Sequence, residues 1–173
     1  MTALSEKFWA RAIAVTIVAT ASVGLSGCSL VSSVLGGDDT VRDEDGNVTE
    51  GNEDGDVFSI QVGDCLNDAS VSGDVSEVPF TPCEEPHDSE AYATFQLSGD
   101  AFPGDDAVGQ EADELCYGAF EDFAGIAWES SVYDYSYYIP TQDSWEQLGD
   151  REVLCTIFDP DGKVTGTLEN IGV

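Results

Sequence analysis

The sequence predicts an α+β domain: a small, mainly antiparallel sheet, one principal helix and two disulfide bridges. Three observations lead there. One long segment, from Asp105 to about Phe123, repeats apolar residues at helical spacing. Several short segments alternate apolar with polar residues, or are rich in aromatic and β-branched ones, and stop at Gly, Pro or Asp turns. Four cysteines, Cys65, Cys83, Cys116 and Cys155, lie in the same part of the chain. The N-terminus ahead of them has the features of an export signal, so their thiols are expected to meet an oxidising compartment.

The elements follow in chain order. Val57–Gln61 reads as a strand that turns at Gly63-Asp64 into Cys65, and Val75–Phe80 leads in extended form through Pro79 and Pro82 to Cys83. In Ala91–Leu97, Tyr92 and Thr94 alternate with Ala93, Phe95 and Leu97, the pattern of a half-buried strand. Asp105 or Asp106 is placed to cap the helix. On it Val108, Ala112, Leu115, Cys116, Ala119, Phe120 and Phe123 make one apolar face, with Asp113, Glu114, Glu121 and Asp122 opposite. Val132–Pro140 reads as another strand with Tyr133, Tyr135 and Tyr137 on one face. A short helical turn capped by Thr141 or Asp143 carries Trp145 and Leu148. Finally, Glu152–Phe158 and Lys163–Leu168 flank Asp159-Pro160-Asp161-Gly162, a hairpin signal.

Four cysteines allow three pairings. The favoured set is Cys65–Cys83, which closes a short loop, with Cys116–Cys155, which ties the helix to a strand. Structural zinc is the competing reading, but no CxxC pair exists and the spacings of 18, 33 and 39 residues are not ribbon-like. The missing CxxC also argues against thioredoxin-type redox chemistry and c-type haem. No cofactor is expected.

The N-terminus reads as a processing signal. Lys7 and Arg11 precede an apolar run from Ala12 to Val23. Twelve helical residues reach about 18 Å, well short of the roughly 30 Å of a bilayer core. A basic start, a short apolar run and small residues after it mark a secretory signal peptide. The run ends in Leu25-Ser26-Gly27-Cys28, which looks like the lipobox of bacterial lipoproteins. That resemblance implies a lipidated Cys28 as the first mature residue and a membrane partner reached through the lipid anchor. The alternative is an uncleaved anchor running on through Leu30, Val31, Val34 and Leu35.

The organisation read from the sequence is therefore a leader at 1–27, lipidated Cys28 with an acidic tether to residue 56, and a globular domain at 57–173. The tether carries nine Asp and Glu among the 28 residues from 29 to 56, with no aromatic side chain. It has too little apolar surface to offset chain entropy and is expected to stay disordered, extended by like charge. Asp43–Asn47 and Asn52–Asp56 are rich in oxygen ligands, yet neither follows the spacing of an EF-hand loop.

Charge sets limits on partners. The chain has 173 residues with 35 Asp and Glu against five Lys and Arg, a formal charge of −30. Nucleic-acid binding is excluded, because so few cations cannot displace phosphate counterions. Docking to an anionic lipid surface through a basic patch fails on the same ground.

Candidate sites are few. His87, the only histidine, lies in Cys83-Glu84-Glu85-Pro86-His87-Asp88-Ser89-Glu90. A structural histidine bonded to backbone beside a disulfide is the leading reading. Divalent-metal binding through His87, Asp88 and Glu90, or general-base catalysis, are its rivals. Arg151 lies between Asp150 and Glu152, which suggests a structural ion pair. The strip of Tyr133, Tyr135 and Tyr137 suits either sheet packing or a carbohydrate or peptide platform. No Gly-x-Ser-x-Gly, Ser-x-x-Lys or His-Glu-x-x-His element is present, and no enzymatic activity is expected.

Three stretches read together carry a family resemblance. They are Val62-Gly63-Asp64-Cys65-Leu66, the Cys83…His87…Glu90 element with Phe102-Pro103-Gly104, and Pro140-Thr141…Ser144-Trp145…Gly149-Asp150-Arg151…Cys155. From Val57 to Phe158 the chain resembles the septum formation-related domain of actinobacterial membrane-anchored proteins and lipoproteins. The resemblance implies a disulfide-stapled scaffold marked by the cysteines, His87, Trp145 and Arg151. It also implies an envelope binding module linked to cell division, with an envelope protein or cell-wall component as partner. A lipoprotein that captures a solute or divalent cation is the alternative.

Overall fold

The computed structural model describes residues 39–172, so the predicted leader and Cys28 lie outside the described residues. Six strands form one curled antiparallel sheet: β1 (Asn52–Asp56), β2 (Cys65–Leu66), β3 (Glu77–Thr81), β4 (Ser89–Gln96), β5 (Asp134–Tyr138) and β6 (Glu152–Phe158). Their spatial order is β1-β3-β2-β4-β6-β5. The principal helix is α1 (Asp105–Ala124), and a second, short helix is α2 (Gln142–Gln147).

β6 organises the sheet. It pairs with β4 from Ser89↔Phe158 to Gln96↔Glu152, and on its other side with β5 from Asp134↔Phe158 to Tyr138↔Leu154. Successive side chains of a strand point to opposite faces. Val153, Cys155 and Ile157 therefore face α1 and join a core with Val108, Ala112, Cys116 and Phe120. Leu154 faces the other way, into a second core with Val48, Ile60, Leu66, Val78, Phe80 and Ala91. The helix presents Val108, Ala112, Cys116, Phe120 and Ala124 as its buried line, one residue every four. It stops at Gly125, whose φ of 72° is left-handed and whose N–H bonds to the Glu121 carbonyl.

Both favoured bridges form: Cys65–Cys83 joins β2 to the chain just after β3, and Cys116–Cys155 joins α1 to β6. The α+β class, the helix and the strands around Ala91–Leu97 and Glu152–Phe158 also agree with expectation. Thr141 caps α2 with its side chain while the Ser144 hydroxyl returns to the Thr141 N–H, a reciprocal capping box.

Several local expectations are corrected. Residues 39–56, expected to be disordered, are folded into the domain. Arg42 and Val48 form a β-bridge, and β1 pairs with β3. Arg42 makes a two-pronged ion pair with the buried Asp64, at 2.5 and 2.8 Å, and its guanidinium lies over the Phe80 ring. A Cβ on Gly55 would stand 2.1 Å from that ring, so glycine is what lets β1 lie flat on Phe80. Composition underestimated this segment because its attachments are one cation, one valine and one close backbone approach.

Val57–Ser59 is a 3-10 turn rather than a strand, capped by the Asp56 carboxylate. Neither Asp105 nor Asp106 caps α1. Gly104, at φ 103°, occupies that position, and both acids sit in the first turn, where the helix dipole favours them. Lys163–Leu168 forms no strand, since both sides of β6 are already occupied; Val164 makes a bridge to His87 instead. A bulge between Ala91 and Ala93 puts Tyr92 with the α1 core rather than opposite Phe95.

The loop-closure view of a crosslink makes the longer bridge worth more. Replacing Cys116 and Cys155 by Ala is expected to lower unfolding free energy by about 4 kcal/mol, against about 3 kcal/mol for Cys65 and Cys83. Urea denaturation of the two double variants checks both the sizes and their order.

Candidate functional site

His87 is sealed from solvent. It exposes none of its surface, its Nδ1–H donates to the Glu85 carbonyl at 2.9 Å, and its Nε2 is buried without a hydrogen-bond partner. The seal is the C-terminal segment. Val164 exchanges two backbone bonds with His87, Gly166 donates to the Cys83 carbonyl, and Leu168 donates to a Glu90 carboxylate oxygen at 2.5 Å. The Thr167 hydroxyl donates to the other Glu90 oxygen at 2.7 Å. Burial raises the Glu90 carboxyl above the usual range despite these two donors.

His87, Asp88 and Glu90 do not converge as a ligand set. Asp88 turns outward to Lys163 at 2.8 Å and to the Ala69 N–H. The trio of metal-type donors found within 4.8 Å among the described residues is Cys65, Cys83 and Glu90. Its two sulfurs are bonded to each other, so they do not fit a cation.

Trp145 and Arg151 make one joint. The guanidinium carbon lies 3.6 Å from the indole centre, and its nitrogens donate to the carbonyls of Gly99, Trp145 and Asp150. The Trp145 N–H reaches the Asp100 carbonyl at 3.2 Å. The expected ion pair with Asp150 or Glu152 is replaced by this set, because the chain reversal at Gly149 turns carbonyls rather than carboxylates toward the fork.

The tyrosine strip belongs to the α1 face. Tyr133, Tyr135 and Tyr137 are partly buried against the core that α1 completes, and Tyr135 packs on Phe120 and Trp128. Burial and a hydrogen bond to Asp113 push the Tyr135 hydroxyl up to about 12.

The open face of the sheet is the other one. Between β6, β5 and the loop at 68–75 lies a groove of about 940 Å³. Ser136 and Tyr138 of β5 and Leu154 and Thr156 of β6 form its floor, while Val71 and Val75 add an apolar wall. Seven Asp and Glu line it, and no Lys, Arg or His does. Several of the acids are structural: Asp68 accepts from the Ser89 and Tyr138 hydroxyls, Asp150 from the Ser144 hydroxyl and the Glu152 N–H, Asp88 from the Ala69 N–H beside its pair with Lys163, and Asp159 from the Asp161 N–H. Burial, followed by repulsion from Asp150, raises the Glu152 carboxyl. The odd-numbered tyrosines stand out in the sequence, and this surface does not. The signal was the opposite phase, Ser136 and Tyr138 against Glu152, Leu154 and Thr156.

The sequence model of the family described as septum formation matches residues 28–171. The chain belongs to this family. No curated protein and no solved structure matches the chain. In this septum formation domain the match takes in the acidic stretch before residue 57, in keeping with the place of β1 in the sheet. The family's description points to a cell-division-related envelope protein. Among the described residues no helix is long and apolar enough to cross a membrane.

Two outcomes follow from the sealed site and the Trp145 joint. A carboxyl raised on folding costs stability as pH climbs above its ordinary value of 4.5, because the unfolded chain releases the proton first. Glu90→Gln lacks that cost, so its melting temperature should gain on the wild type between pH 4.5 and 7.5 in paired calorimetric scans. Arg151→Lys loses both the planar stack and the fork, and chemical denaturation should show a loss of about 2 kcal/mol.

Proposed function

We propose that the chain is a membrane-anchored surface lipoprotein whose septum formation domain works in cell division by binding, not by chemistry. The observation that carries the binding role is the groove: one sheet face is covered by α1, and the other is left concave and open between β5, β6 and the 68–75 loop. Grooves of this size hold ligands or partner segments. The family match supports the division role. The Leu25-Ser26-Gly27-Cys28 sequence supports the anchor, since acyl chains at Cys28 hold a domain at a membrane without a spanning helix.

In this reading the partner is an envelope protein or a cell-wall component, and the domain sits on the extracytoplasmic side. The two bridges are in keeping with that compartment. His87, Glu90, Trp145 and Arg151 build the scaffold, and the partner meets the groove.

A fluorescent fusion is expected to concentrate at division septa. Cys28→Ser should move the protein from the membrane to the soluble fraction. Ser136→Trp, on an exposed floor position, fills the groove and should disperse the septal signal while leaving membrane attachment intact. An even envelope distribution of the wild-type fusion in dividing cells refutes the division role.

A further inference from the structure

The groove has a chemical signature beyond its shape. Its lining carries seven carboxylates and no cation of its own, although Lys163 at the rim neutralises Asp88. Asp74 and Asp105 are exposed, with nothing basic beside them in the lining. Glu152 stands close enough to Asp150 for that carboxylate's charge to act on it. Carboxylates held together on a concave surface deepen the negative potential there and attract a cation before contact. Between them run apolar and aromatic positions: Leu154, Val71, Val75 and the Tyr138 ring.

The dimensions suit an extended chain. β6 spans seven residues, about 23 Å at strand rise, and the groove follows it. β5, at the groove's side, is an edge strand with a neighbour on one side only. A segment lying along the floor sends alternate side chains down toward Ser136, Tyr138, Leu154 and Thr156.

We infer that the groove receives an extended, Lys- or Arg-bearing segment of a partner protein, with apolar side chains between the basic ones. This rests on the binding role proposed above and names the partner's chemistry. The carboxylates supply attraction and register, and the apolar wall supplies burial.

The test uses the mature chain and an array of fluorescein-labelled nine-residue peptides, with Lys or Arg at alternate positions and Val, Leu, Ile, Phe or Tyr between. Matched peptides carry Glu in place of each cation. Lys or Arg peptides are expected to bind at least tenfold tighter than their Glu counterparts and to weaken as salt rises. Neutralising the groove in D74N/D105N/E152Q should reduce that affinity at least tenfold. Neutralising three carboxylates on the outer face of α1, in E111Q/E114Q/E121Q, should change it less than twofold.

Equal losses in the two triple variants overturn the inference, because the peptide then senses only the chain's overall charge. Spermine that competes as well as the best peptide also overturns it, since polycation capture needs no polypeptide. If no basic peptide binds while Ser136→Trp still disperses the septal signal, the partner chemistry fails and the binding role survives. If Ser136→Trp has no effect either, both fail.

Discussion

Cys116–Cys155 ties the middle of α1, the one long helix among the described residues, to β6, an interior strand paired with β4 and β5. β6 contributes Val153, Cys155 and Ile157 to one core and Leu154 to the other, so the position of one strand sets both faces of the sheet. With α1 fixed over one face, that face is filled by helix and tyrosines. The opposite face is left for the N-terminal segment to cover in part and for the groove to open in what remains. A covalent tie matters here because the chain carries 35 acids, and their mutual repulsion favours expansion.

Cations are scarce enough that each one among the described residues is committed to a joint. Arg42 fastens the N-terminal stretch to Asp64, Arg151 stacks on Trp145 and gathers carbonyls, and Lys163 meets Asp88 beside the Pro160 turn. A planar fork serves the first two, where several acceptors must be reached from a partly buried position. The flexible ammonium serves the exposed third. Acidic surface elsewhere is left uncompensated, and the groove concentrates some of it.

Elements governed by short-range pattern were legible in the sequence. The helix showed in apolar residues three and four apart, the α2 start in Thr141, and the bridges in cysteine spacing together with the helix–strand assignment. Attachments between distant residues were not legible. The Arg42–Asp64 pair spans 22 positions, and it turns an acidic stretch of tether-like composition into an ordered part of the sheet. The Asp159–Gly162 turn was read as a hairpin, but turn chemistry does not say whether the strand beyond it finds a free edge. The groove escaped notice because its floor is made of serine, threonine and leucine in the phase opposite to the tyrosines, and its wall comes from a loop without pattern.

β1 lies at one edge of the sheet, held by a short ladder to β3 and by the Arg42 fork, while Cys65–Cys83 stands immediately behind. Tension applied from the N-terminal side meets the Arg42 fork first, then the β1 ladder, then the crosslink. The fork and ladder peel away residue by residue, but the pull then arrives at a covalent crosslink between β2 and the end of β3. Residues 66–82, enclosed between the two bonded cysteines, are thereby bypassed by a pull from the N-terminal side.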